Sequence, residues 1–351
     1  YEMTPTERLI EQIEQLIRET GRREFHFVDE AAPPAALKAL ALALIERNIS
    51  ITWWGNIRFE EAFSPDLCKL LAASGCIAVT AGLEAASDRL LEKMKKGITV
   101  DQTALVAAAF KEAGVMIHAY LMYGFPSETI QEAIDALERV RQLFAADLIQ
   151  SAFWHRFTAT AHSPVGLNPK ANGLRILGPT FEGFADNDLI HHDRVGKTPA
   201  WLGEGLRRSM LNFLEGRGLT MDVREWFDRD VPKSLVPKNW GRTLLRTRLM
   251  ADHPSLERRL VWLGNSSLQE MSSGRRPQPA QKQVADATLS RSQAQWLQKL
   301  IEQATPQNNK PVPYPWFREA QQTFPGDSDE LADFLNGPGW KKARKAGLLL
   351  V

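Results

Sequence analysis

Apolar positions over the first 155 residues recur with two periods, one suited to helices and one to strands. Leu9, Ile10, Ile13, Leu16 and Ile17 share one helical face, ended by Gly21. Thr4-Pro5-Thr6-Glu7 reads as a capping box, with Thr4 as N-cap and Glu7 returning to it. A strand is expected at 24–28, a helix at 34–47 and a strand at 49–54. Ser64-Pro65 opens a helix that stops at Gly75, and 77–82 is a third strand. Helices follow at 87–95 and 101–113, then a strand at 115–123. Thr129 and Glu132 make a second capping box for a helix to 144, and 147–154 is the fifth strand.

Strands separated by helices predict a parallel sheet. Right-handed crossovers place the helices on one side if that sheet curls into a barrel. The regular pattern ends after Trp154. The expected organisation is a βα unit at 1–155, an irregular and helical extension over the barrel mouth at 156–263, a linker or exposed loop at 264–289, and a small helical region at 290–351. Residues 155–200, rich in Gly, Pro, Asn, Asp and His, read as a long loop region or a small excursion, and helical patterns return at 201–217, 239–262 and 290–304.

Composition narrows the function classes. With 44% hydrophobic residues the chain can bury a large core, and 43 basic against 42 acidic residues give no global field for nucleic acid or an anionic membrane. Ten tryptophans are not interleaved with a basic stripe, so they read as core. No apolar run is long enough to span a bilayer, which makes the cytoplasm the expected compartment. The two cysteines, Cys68 and Cys76, read as buried small hydrophobes without zinc-ligand spacing, and no metal ligands are expected.

Four segments carry a resemblance: FHFVDE (25–30), ITWWGNIRFE (51–60), GCIAVTAGLEAASDRLLEKMKKGIT (75–99) and GVMIHAYLMYGFPSET (114–129). In order and spacing they resemble the radical S-adenosylmethionine (radical SAM) superfamily, particularly members with an accessory cobalamin domain. The resemblance implies an α/β fold: a partial (β/α) barrel lacking its first strand, with a mainly helical C-terminal extension. It also implies S-adenosylmethionine, a [4Fe–4S] cluster whose ligands are not in this chain, a reducing electron donor, and cobalamin through an upstream domain. A complete form would cleave S-adenosylmethionine reductively and start radical chemistry on a small or unknown substrate. The family's CxxxCxxC loop is absent here, and the first residue is Tyr1 rather than Met. The first strand and cluster loop are therefore expected upstream, and this chain alone is expected to be inactive. The alternatives are a non-catalytic relative that binds a ligand or protein, and an unrelated βα-barrel enzyme.

Within the resemblance, Glu84 in GLEAAS points at S-adenosylmethionine, the other reading being a loop carboxylate beside the better cap Ser87. Arg58 faces the methionyl group or pairs with Glu60 or Glu61. Of Asp29 and Glu30, at most one faces the barrel axis, near the amino group of S-adenosylmethionine or the substrate. The backbone at Tyr123 and Gly124 lines the adenine, with Glu128 stabilising the turn. His155 and His162 face the open mouth as catalytic candidates, His26 and His118 lie within strands as core or barrel-lining residues, and the run His191, His192, Asp193 reads as a solvated loop.

Overall fold

A computed structural model describes residues 4–181, 186–194, 196, 199–248, 257–264, 289–307 and 314–351. The chain opens with helix α1 (Thr6–Thr20) and proceeds through β1 (Glu24–Phe27), α2 (Pro34–Glu46), β2 (Thr52–Ile57) and α3 (Pro65–Ala73). β3 (Cys76–Glu84), α4 (Asp88–Lys93), α5 (Val100–Glu112), β4 (Met116–Tyr123), α6 (Ile130–Ala145) and β5 (Ser151–Arg156) complete the series. All five strands are parallel, in the order β1-β2-β3-β4-β5, and the sheet does not close.

Local chemistry sets most of these boundaries. Ser64 caps α3 by accepting from Leu67 N–H, and Thr129 and Glu132 form the reciprocal capping box of α6. Gly21 ends α1 in the left-handed region, at φ 69°. The capping box expected at 4–7 does not form: Pro5 is the N-cap, and no side chain caps the helix. β2 starts at Thr52 rather than Ile49, because Asn48, at φ 55°, terminates α2 and Ile49 N–H still bonds back to Leu44. Ser87 precedes α4 without capping it; its hydroxyl donates to Glu132 instead, at 3.2 Å.

The sheet is two-faced. Trp53, Ile57, Val79, Ala81, Leu83, Ile117, Ala119, Leu121, Ala152 and Trp154 are buried under the helices. Each fully covered aliphatic side chain there contributes roughly 1.5–3 kcal/mol. The alternate positions face away from the helix layer. Met116, Tyr120 and Phe153 are 50%, 46% and 51% exposed on that side.

Beyond β5 the expected loop region holds strands of its own. β6 (Ala159–Thr160), helix α7 (Pro164–Leu167), β7 (Leu174–Gly178) and β8 (Asp188–Asp193) include an antiparallel sheet of order β6-β8-β7. Helix α8 (Ala200–Leu214) packs beside β5 and α6, with Phe213 against Phe144 and Trp226. Helix α9 (Trp240–Arg248) lies against α5 and α6. Residues 260–262, expected to be helical, form β9 (Leu260–Trp262), because an apolar Leu-Val-Trp run buried throughout pairs with β10 (Leu348–Leu350). Of the expected linker, 265–288 lie outside the described residues.

The β9–β10 pair and helices α10 (Arg291–Ala304), α11 (Phe317–Gln322), α12 (Ser328–Asn336) and α13 (Pro338–Lys345) enclose a second core built on Trp262, Trp296, Phe317, Phe334 and Trp340. This unit docks on the outer layer through Asp66 of α3. The buried carboxylate accepts from Arg344 at 2.6 Å and from Leu350 N–H at 2.7 Å. Asp66→Ala orphans the buried Leu350 N–H and leaves the Arg344 guanidinium only its bond to the Leu348 carbonyl among the described residues, at a cost of about 2–3 kcal/mol to docking. Hydrogen exchange of the variant should show lost protection at 260–262 and 348–350 with β3 and β4 unaffected; unchanged protection at those positions would refute the role given to Asp66.

Candidate functional site

Parallel topology brings all five carboxyl ends to one edge, which meets the uncovered face of the sheet. His26 stacks on Trp54 at 4.9 Å on that face. His118, Tyr120, Phe153 and His155 form a contiguous group across β4 and β5, with ring separations of 5.2, 5.8 and 4.9 Å along the chain His118–Tyr120–His155–Phe153. His118 Nδ1 lies 2.7 Å from Ser151 Oγ. Partial burial, reinforced by His155, holds the His118 imidazole below its ordinary value, so it is neutral near pH 7.

Glu84 ends β3 at a bulge, with φ at 56°. Its Oε1 folds back over Gly82, so closely that a Cβ on Gly82 would sit 2.3 Å from it. Lys96 Nζ donates to the same oxygen at 2.7 Å. Arg58 does not pair with Glu60 or Glu61; its guanidinium donates to the Lys96 carbonyl. One residue thus ties together the two strand-end side chains on which the sequence analysis relied most.

The remaining candidates divide. Asp29 and Glu30 are both exposed in the loop after β1, where Asn56 Nδ2 donates to the Asp29 carbonyl at 2.8 Å. Tyr123 turns its ring to the helix side, where its hydroxyl blocks any Cβ on Gly203 of α8, and its carbonyl accepts from Phe157 N–H. Gly124 follows at φ 82° on the rim. His155 lies on the open face with Tyr120, whereas His162 is exposed in the turn after β6. His191 and His192 alternate along strand β8 rather than sharing a loop, and no group of three metal-ligating side chains is found among the described residues.

The rim is held by basic residues that the sequence analysis did not single out. Arg89, Lys93 and Lys96, spaced i, i+4 and i+7, anchor it at two places, the first two at the turn after β4 and the third at the ends of β2 and β3. Arg89 grips both oxygens of Glu132 at 2.7 Å and the Ser127 carbonyl at 2.9 Å, while Lys93 reaches the Pro126 carbonyl and Ser127 Oγ. Asp193 of β8 accepts from Ser127 N–H at 2.7 Å, which joins the small antiparallel sheet to the same turn. The spacing within DRLLEKMKK was the available signal.

Glu128 supports this turn from inside by accepting from Gly124 N–H. It is fully buried, and its Oε1 has no hydrogen-bond partner among the described residues. Burial pushes the carboxyl up to about 8, against the pull of the Gly124 N–H and with added repulsion from Glu132. A carboxyl raised from 4.5 to about 8 contributes stability below pH 4.5 and loses it as pH rises to about 8. Glu128→Gln is neutral throughout, so the wild-type fall in melting temperature between pH 5 and pH 8 should shrink in the variant; parallel melting curves across that window would contradict the assignment.

Both cysteines are buried away from the rim chemistry. Cys68 Sγ lies 3.8 Å from the Phe63 carbonyl, and Cys76, at the opposite end of β3 from Glu84, has its thiol pushed up by burial.

Comparison with known proteins places these features. Residues 1–140 match the family model of the Radical SAM superfamily. The chain is 30% identical over 139 residues to an uncharacterized methyltransferase of Pyrococcus horikoshii, a match covering 39% of this chain and 30% of that protein. It is 24% identical over 144 residues to the anaerobic magnesium-protoporphyrin IX monomethyl ester cyclase of Rubrivivax gelatinosus, covering 40% of this chain and 26% of that one. The match thus takes up less than a third of either relative. Among solved structures, the radical S-adenosylmethionine methyltransferase TsrM of Kitasatospora setae, with cobalamin and a [4Fe–4S] cluster bound, superposes with a TM-score of 0.46 at 16% identity, covering 71% of this chain and 56% of that chain. Residues 1–140, the part similar to the radical SAM superfamily, hold four of the five parallel strands and the rim built on Glu84 and Gly124.

Proposed function

We propose that this chain holds S-adenosylmethionine against the open face of its sheet, as the ligand-holding part of a radical SAM enzyme whose cluster ligands lie outside these 351 residues. The observation that carries the reading is the Glu84 carboxylate, folded back over Gly82 at the strand end from a left-handed backbone and paired with Lys96. A left-handed backbone at a residue with a side chain costs of order 1–3 kcal/mol, more than an exposed ion pair returns. Held there, Glu84 accepts from the hydroxyls of a ribose, with Gly124 offering close backbone approach to the base. S-adenosylmethionine supplies the carbon radical of the superfamily when reductively cleaved; this chain's part is to bind and orient it.

The donors present do not fit an iron–sulfur cluster. Cluster ligands are thiolates, and Cys68 and Cys76 are both buried, one within α3 and one at the far end of β3 from Glu84. No step through a cluster is therefore derived for this chain. The same burial favours a second reading, a relative that binds a ligand without redox chemistry. Anaerobic reconstitution with iron and sulfide should leave this chain without [4Fe–4S] absorption, while a version extended upstream through a CxxxCxxC loop should assemble the cluster and cleave S-adenosylmethionine. An extended chain without either property would leave the second reading standing.

Calorimetry tests the binding role directly. Glu84→Gln and Gly82→Ala should each weaken S-adenosylmethionine at least tenfold with the melting temperature nearly unchanged. Equal affinity in all three proteins would remove Glu84 from the site.

A further inference from the structure

Lys96 engages the side chains at the ends of β2 and β3 at once. Its ammonium sits on Glu84 Oε1 at 2.7 Å, and its carbonyl receives the Arg58 guanidinium. The main chain around it is fixed: Lys95 N–H and Lys96 N–H bond back to Glu92 and Leu91, and Gly97 turns at φ 68°. The side chain is not comparably enclosed. Lys96 is 39% exposed against 13% for Glu84, so its four-carbon stem can swing to solvent while the carboxylate stays over Gly82.

We propose that Lys96 is a specificity-determining residue of the rim, an internal competitor whose ammonium occupies on Glu84 the place taken by the vicinal hydroxyls of a nucleoside. The inference rests on the reading of Glu84 as a ligand acceptor. It goes further in assigning Lys96 a negative contribution to binding: any ligand reaching Glu84 must displace a cation, so groups that offer the carboxylate only one weak donor are refused. The ion pair is part-buried with its lysine end open to solvent, so a diol with two donors can replace the ammonium. Arg58 keeps the backbone of the competing residue in register, which accounts for a guanidinium at the rim whose observed partner is a loop carbonyl.

Adenosine, which carries the diol without the amino-acid end of S-adenosylmethionine, is the discriminating probe. Its affinity should be measured by calorimetry at low and high salt for wild type, Lys96→Met, Glu84→Gln and the neighbouring control Lys95→Met. Lys96→Met should bind three- to fivefold more tightly at low salt. Wild-type affinity should rise with salt toward the Lys96→Met value, because salt screens the competing pair. Lys95→Met should match wild type, and Glu84→Gln should lose binding. Weaker or unchanged binding by Lys96→Met, with Glu84→Gln still defective, would overturn the inference and leave the Glu84 reading intact. Equal binding by wild type and Glu84→Gln would overturn both.

Discussion

Everything at the candidate site follows from one handedness. Right-handed crossovers between parallel strands put α2, α3, α5 and α6 on a single side of the sheet. The five carboxyl ends then share one edge, and the other face is left bare. A parallel sheet is ordinarily covered on both faces, so exposed Tyr120, Phe153 and Met116 mark a surface that the described residues do not cover. The outer edges of β1 and β5 are likewise without strand partners among the described residues.

On that scaffold the rim is an electrostatic assembly more than an apolar one. Its small apolar cluster of Ala85, Leu90 and Phe125 is far smaller than the main core. Three cations, from α4 and the turn after it, do the remaining positioning: Arg89 and Lys93 fasten the turn after β4, and Lys96 links the ends of β2 and β3. Each bond is cheap to break singly, which suits loops that must admit a ligand. Glu128 is the exception. Its buried carboxyl and the Gly124 amide fix the turn from below, so the polar groups above it can exchange partners without the strand end moving.

Much of this was legible in the sequence where local rules act. The Thr129/Glu132 capping box, Ser64 before Pro65, and Gly21 set element ends through contacts within four residues. Glu84 and Gly124 were expected at the carboxyl ends of strands, and β3 and β4 end there. What escaped depended on distant partners. β9 looks helical until Leu348–Leu350, from the far end of the chain, pairs with it. The antiparallel strands at 159–193 sit in a stretch whose glycines and prolines read as loop, and β8 meets the rim through Asp193 and Ser127, 66 residues apart. The ring of Tyr123 went to the helix side by strand parity, which the motif alone did not reveal.

The central proposal is that the Glu84 end of the sheet receives a nucleoside-bearing ligand. Amide hydrogen exchange with and without S-adenosylmethionine tests it most directly, because it surveys every element together. The account predicts added protection confined to the ends of β3 and β4, around 82–86 and 122–125, and to the 94–98 turn, with the second core around Trp296 and Trp340 unchanged. Protection concentrated in that second core, or spread evenly with none at Glu84, would contradict it.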